Sequence, residues 1–199
     1  MGSSAFVLRG FALPYADALL SAITGIEASS PFRHMVTPGG FTMSVALTNC
    51  GKWGWIADRR GYRYSGLDPH HGQPWPAMPK IFEKLAHEAA IAAGFNDFVP
   101  DACLVNRYLP GSRLSLHQDK NERDFEAPII SVSLGMMATF LFGGNERTDK
   151  TIKITLYHGD VVAWGGKDRL RYHGVMPLKD QPHPVLGSQR INFTFRKAG

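Results

Sequence analysis

Apolar residues first gather in a short extended run at residues 5–9, which predicts a strand. They then recur at Leu19, Leu20, Ile23 and Ile26, the spacing of one helical face, and predict a helix over 14–28. From 30 to 78 the texture turns to glycine, proline, aromatic and basic residues, with short strands predicted at 43–48, 53–57 and 62–64. Pro79 then opens a second helix that carries Ile81, Phe82, Leu85, Ala86, Ala89, Ala92 and Ala93 on one side and stops at Gly94.

Beyond that glycine the period falls to two. Strands are predicted at 102–108, 114–117, 129–135, 138–142, 152–157, 161–164, 170–173 and 191–196, separated by turns such as Pro110-Gly111, Gly143-Gly144 and Gly165-Gly166. Eight short strands, with the helices confined to the N-terminal half, predict an α+β, mainly β chain. Its expected core is a double-sheet jelly roll, or double-stranded β-helix, rather than a parallel sheet. One domain over 1–199 is expected, with 100–199 as the jelly-roll core and 30–78 as a loop-and-hairpin lid where binding residues collect.

Composition sharpens this modestly. The 21 glycines and 13 prolines among 199 residues favour turns over a helical bundle. No apolar run approaches the ~18 residues that span a bilayer, and the first residues lack the basic flank and apolar stretch of a secretory signal, so a soluble, intracellular, cytoplasmic protein is expected. Cys50 and Cys103 are too few for a disulfide framework or a thiolate zinc site and are expected to be reduced. The net charge of +5 leans toward a polyanionic partner without deciding the matter.

The chemistry begins at Leu116-His117-Gln118-Asp119. A separation of two at a strand end places His117 and Asp119 on one face, where they can share an ion. His173 is expected to close another strand, and two histidines with one carboxylate make the facial triad that holds Fe(II) and leaves positions for a co-substrate and dioxygen. The other histidines, His34, His70, His71, His87, His158 and His183, sit in polar loops, a helix or a turn and are expected to be solvated.

In the last strand, Ile191, Phe193 and Phe195 point one way and Arg190, Asn192, Thr194 and Arg196 the other. Two guanidiniums on an inward face are costly unless an anion pairs with them, and a dicarboxylate would serve both; a solvent-exposed edge strand is the alternative. Asn106 and Tyr108 share a face of their own strand and offer an amide and a phenol to a bound acid. His-x-Asp, a histidine 54 positions on and an arginine 17 beyond that follow the order of a 2-oxoglutarate-dependent Fe(II) oxygenase.

Asn106-Arg107-Tyr108, Ser115-Leu116-His117-Gln118-Asp119-Lys120, His158-Gly159-Asp160-Val161-Val162, Tyr172-His173-Gly174 and Arg190–Arg196 together resemble the AlkB family of nucleic-acid dealkylating dioxygenases, nearly end to end. Ser30-Pro31-Phe32-Arg33 and Pro74-Trp75-Pro76-Ala77-Met78-Pro79 add a likeness to its bacterial members. The resemblance implies Fe(II) on His117, Asp119 and His173. It implies 2-oxoglutarate with its distal carboxylate on Arg190 and its other end helped by Arg196, among Asn106, Tyr108, Asn192 and Thr194.

The activity it implies is removal of N-alkyl groups from bases of the 1-methyladenine and 3-methylcytosine type. The alkyl carbon is hydroxylated with O2 and leaves as formaldehyde, and ascorbate serves as reductant in vitro. Single-stranded DNA is the implied partner, double-stranded DNA and RNA are further candidates, and a monomer is expected. Trp55 would stack on the flipped base opposite the His117 ring. Tyr62, Arg63 and Tyr64 would contact the adjoining phosphate and sugar, with Lys120 and Arg147 toward the strand backbone and pocket. Two alternatives stay open: an oxygenase acting on a protein or small molecule, and a non-catalytic nucleic-acid-binding module.

The chain departs from the family pattern at Leu47, which replaces methionine at similar volume, and at Asn121, which replaces an aspartate that faces the base. Bases alkylated at these ring nitrogens are cationic, so a neutral amide forgoes a charge-assisted hydrogen bond of about 1.5–3 kcal/mol. Asn121→Asp is therefore expected to raise the ratio of kcat/KM for a cationic over a neutral lesion, and an unchanged ratio would refute that role.

Overall fold

The computed structural model describes residues Met1–Gly199. Most of the chain lies in two antiparallel sheets. The larger has the order β1 (Ala5–Leu8), β11 (Val161–Trp164), β8 (Ile129–Gly135), β13 (Arg190–Arg196), β6 (Ala102–Tyr108), β3 (Thr42–Gly51) and β2 (Arg33–Val36). The smaller has the order β10 (Ile152–Leu156), β9 (Ala138–Phe142), β12 (His173–Val175) and β7 (Leu114–His117). A separate hairpin of β4 (Gly54–Asp58) and β5 (Gly61–Ser65) falls within the 30–78 stretch. This is the mainly β, jelly-roll arrangement that the eight-strand pattern predicts.

Helix α1 (Ala16–Ser29) buries Ala16, Leu19, Ile23 and Ile26, and α2 (Lys80–Ala92) buries Phe82, Leu85, Ala86, Ala89 and Ala90, close to the stripes read from the sequence except that Leu20 is half-buried and Ala92 exposed, with Ala90 buried instead. Gly94 ends α2 at φ +85, a backbone conformation that a Cβ would strain. Both helices pack on one face of the large sheet, against Cys50, Cys103, Val105, Ile130, Val132, Ile191, Phe193 and Phe195. A second apolar cluster, containing Tyr108, Phe140, Phe142, Val162, Trp164 and Val175, joins the opposite face to the small sheet.

Strand β13 decides what lies between the sheets. It is hydrogen-bonded to β8 on one side and β6 on the other, and all seven of its residues are buried. The exposed-edge alternative is thereby excluded. Ile191, Phe193 and Phe195 feed the helix-side core, so alternation sends Arg190, Asn192, Thr194 and Arg196 into the space between the sheets. Cys50 and Cys103 are register partners in β3 and β6, buried and unbridged as expected, and burial beside Cys50 pushes the Cys103 thiol up.

Two expectations need correction, and one strand was not foreseen. No strand covers 170–173. That stretch is a turn closed by the Arg171–Asp168 ion pair at 2.5 Å, and His173 opens β12 instead of ending a strand. The short edge strand β2 went unforeseen because Met35 is its only buried residue, which leaves no alternation to read. His158 is half-buried rather than solvated: its Nδ1 accepts the Gly135 N–H at 3.0 Å and its ring stacks on His183 at 4.3 Å. Burial, reinforced by His183, pushes its pKa down. No helix is long and apolar enough to cross a membrane.

Candidate active site

His117 ends β7 and His173 begins β12, and the pairing of these strands sets the two residues directly opposite each other. Their rings lie 4.4 Å apart, and Asp119, two residues past His117, brings its Oδ1 to 3.7 Å from His117 Nε2 and its Oδ2 to 3.7 Å from His173 Nε2. One ligand atom from each residue falls within 4.8 Å of the others. His117 Nδ1 faces the Ser115 carbonyl at 2.8 Å and His173 Nδ1 the Arg171 carbonyl at 3.0 Å. A carbonyl only accepts, so each Nδ1 donates and each Nε2 is the ring nitrogen turned toward Asp119, in the position a metal would take.

The charge states agree with this. Burial by itself pushes the Asp119 carboxyl up, but Arg196 and then the two imidazoles hold it well below the usual carboxylate range. Burial pushes His173 down to about 4, so it is neutral near pH 7. Two imidazoles and an ionised carboxylate converging on one point fit a divalent iron site.

The wall beside this centre is built by three adjacent strands. Register places Arg190 against Tyr108 and Asn192 against Asn106 in β6, while in β8 Ser133 lies across from Asn192 and Ser131 across from Thr194. Asn192 Nδ2 donates to Ser131 Oγ and the Val132 carbonyl, each at 2.8 Å, and Asn192 Oδ1 accepts from Thr194 Oγ1 at 3.1 Å. Arg190 lies over the Tyr108 ring, 4.8 Å from its centroid, and donates from Nη2 to Ser133 Oγ at 2.8 Å. Its Nε and Nη1 are buried without a partner. Burial accordingly lowers its pKa, with Tyr108 opposing. An orphaned fork of N–H groups in a polar recess is the complement of a carboxylate, so the residues present fit 2-oxoglutarate.

Arg196 behaves differently from Arg190, although the sequence argument treats them alike. Its Nη2 and Nε donate to Asp119 Oδ2 at 2.6 and 3.0 Å, and Glu122 lies 3.5 Å from Nε. Against the lowering effect of burial, these carboxylates raise its pKa further. One of the two buried guanidiniums is thus neutralised within the protein, at the metal end of the recess.

Sequence reasoning missed the brace beneath the metal loop. Arg169 is almost fully buried; it donates from Nη1 to the Asp119 carbonyl at 2.8 Å, from Nε to the Ala127 carbonyl at 3.0 Å, and pairs with Glu122 at 3.2 Å. Nothing local marks Arg169 or Glu122, because their partners are distant in sequence. Ser131 and Ser133 were missed as well, although polar alternates inside an otherwise apolar strand were the signal that could have found them.

The hairpin lies along the loop that carries Asp119. Trp55 stacks on Tyr62 with ring centroids 5.5 Å apart and planes 14° from parallel. Trp55 Nε1 donates to Asn121 Oδ1 at 3.2 Å, and Asn121 Nδ2 donates to the Tyr62 carbonyl at 3.4 Å, so this amide ties the hairpin to the loop. Tyr64 turns inward: its hydroxyl donates to Glu122 Oε1 at 2.6 Å and accepts from Arg196 at 3.4 Å, while burial pushes its pKa up. Arg63 is engaged by Asp58 through two bonds of 2.9 and 2.7 Å. Neither Tyr64 nor Arg63 is therefore free in the manner the resemblance implies. Lys120 and Arg147 are exposed.

The chain matches the family model described as the 2OG-Fe(II) oxygenase superfamily over residues 5–196. It is 56% identical over 199 residues to the alpha-ketoglutarate-dependent dioxygenase AlkB of Escherichia coli strain K12, covering 100% of this chain and 92% of that protein. It is 42% identical over 182 residues to the AlkB homolog of Caulobacter vibrioides, covering 91% and 81%. The solved structure of OsALKBH1 superposes with a TM-score of 0.85 at 29% identity, covering 99% of this chain and 98% of that one.

The brace generates a stability prediction. Arg169→Met removes the guanidinium at 3.2 Å from buried Glu122 and leaves it only Arg196 at 3.5 Å and the Tyr64 hydroxyl, which costs up to about 3–5 kcal/mol. Adding Glu122→Gln removes the under-compensated buried charge and is expected to recover part of that loss in urea unfolding. Purely additive losses would show that the pair is not coupled.

Proposed function

Because the chain belongs to the 2OG-Fe(II) oxygenase superfamily and, within it, to the AlkB family, we propose that this iron- and 2-oxoglutarate-dependent dioxygenase dealkylates nucleic-acid bases. The substrates are N-alkylated bases of the 1-methyladenine and 3-methylcytosine type in single-stranded DNA, with double-stranded DNA and RNA as further targets. The reading takes 1–199 as one catalytic domain, with residues 30–78 recognising the nucleotide, acting as a monomer in a bacterial cytoplasm. The observation that carries it is the aromatic hairpin fastened through Asn121 to the loop bearing the metal ligand.

His117, Asp119 and His173 would hold the iron, and Arg190 the distal carboxylate of 2-oxoglutarate. When bound, iron and co-substrate supply the oxidation of an alkyl carbon by O2, with succinate, carbon dioxide and formaldehyde as products. The protein contributes position and exclusion. Asn192, Thr194 and Ser131 are bonded among themselves, and Ser133 to Arg190, before any ligand arrives, so the recess needs little reorganisation to receive a dicarboxylate.

Of the two histidines, His117 has 39% of its side chain exposed against 6% for His173, so the centre opens on the His117 side. A base reaches it only after leaving the stack. Trp55 and Tyr62 then offer a stacking platform, with each stacked base contributing about 1–3 kcal/mol. Names carried by more distant relatives, such as the nucleic acid dioxygenase ALKBH1 of Homo sapiens, support a nucleic-acid substrate.

The test supplies a single-stranded oligonucleotide bearing 3-methylcytosine with Fe(II), ascorbate, O2 and 2-oxoglutarate. Succinate and formaldehyde are expected together, only with the lesion, and neither with Asp119→Ala. Succinate without lesion-dependent formaldehyde would assign the oxygenase a protein or small-molecule substrate. Absence of both from metal-loaded protein would leave a binding module.

A further inference from the structure

Beside β5 lies a second recess, whose lining includes none of His117, Asp119, His173 or Arg190. It has a volume of about 230 Å³ and is walled by Trp53, Tyr62, Arg63, Asn121, Arg123 and the backbone at Gly199. Its size falls below the roughly 300 Å³ at which small-molecule pockets begin, so it suits part of a polymer better than a whole free ligand. Tyr62 and Asn121 belong both to this recess and to the Trp55 platform, which makes the two continuous.

The charges here are unequally occupied. Arg63 is spent on Asp58. Arg123 is exposed; the bond it makes is through its backbone N–H, to the Ala198 carbonyl at 3.3 Å, and its guanidinium is left to solvent. Lys52 is likewise exposed and places its Nζ 5.8 Å from the centre of the Trp53 ring. A cation without a protein partner, an aromatic wall with a second cation above it, and an amide held by the target-base platform are the elements that grip single-stranded nucleic acid.

We infer that this recess holds the nucleotide next to the target base, with its phosphodiester on Arg123 and its base against the Trp53 side of the wall. The inference rests on reading the hairpin as a nucleic-acid lid. It adds a contact that serves strand affinity and is blind to the lesion.

The test measures binding of an unmodified single-stranded oligonucleotide by fluorescence anisotropy over a series of NaCl concentrations. The wild-type protein is compared with Arg123→Ala and with Lys153→Ala, an exposed cation on β10, at the other edge of the small sheet from His117. Each phosphate contact on a single strand contributes about 0.7 to the slope of log K against log salt. Arg123→Ala is expected to lower that slope by about 0.7 and to weaken binding at low salt by roughly fivefold, the upper range of an exposed ion pair. Lys153→Ala is expected to leave the slope in place. An unchanged slope in Arg123→Ala, or equal losses in both variants, would overturn the subsite. Lesion-dependent formaldehyde release by the wild-type enzyme, run in parallel, reports separately on the dealkylation reading.

Discussion

The structure is organised around one buried ion pair, Arg196 with Asp119. Asp119 belongs to a His-Asp-His group suited to iron and must stay ionised to serve there, in a place where burial opposes ionisation, and Arg196 reaches it from the central strand of the large sheet. Without that guanidinium the carboxylate would drift toward its neutral form and lose its value as a ligand. The pair also requires β13 to lie between β8 and β6, because its polar face can be solvated by neither water nor lipid and must find its partners across the interior. Arg169 then holds the loop so that Asp119 meets both histidines.

The two arginines of β13 divide the recess into a finished end and an unfinished one. At the Arg196 end, protein carboxylates complete the charge balance. At the Arg190 end two N–H groups face no acceptor in the chain, while the amides and hydroxyls around them are already mutually bonded. A buried unpaired guanidinium costs several kcal/mol. The arrangement makes sense when a carboxylate completes it, and the depressed pKa of Arg190 without one expresses the same deficit. The free energy of folding withheld at Arg190 is returned when the co-substrate binds.

Much of this was legible in the sequence, for definite reasons. Period-two alternation in Arg190–Arg196 announced an apolar and a polar face, and helical spacing gave α1 and α2 their buried stripes. His-x-Asp at a strand end placed two ligands on one face, as found. What stayed hidden depended on distant partners. Whether β13 was central or at an edge could be known only from its neighbours, and so could the unequal fates of Arg190 and Arg196. Glu122, Arg169 and the inward turn of Tyr64 belong to a network that joins residues from 64 to 196, and no local pattern encodes it. The misplaced strand at 170–173 failed for a nearer reason, an i,i+3 ion pair that favours a turn over extension.

The central claim is that Arg190 is left incomplete for a carboxylate of the co-substrate. Calorimetric titration of 2-oxoglutarate into the Mn(II)-loaded protein, wild type against Arg190→Met, tests it without relying on turnover. A hydrogen-bonded charge pair of this kind contributes about 1.5–3 kcal/mol. The account predicts a loss of affinity of roughly tenfold to a hundredfold in a variant that still binds the metal. Equal affinity for 2-oxoglutarate in the two proteins would contradict it.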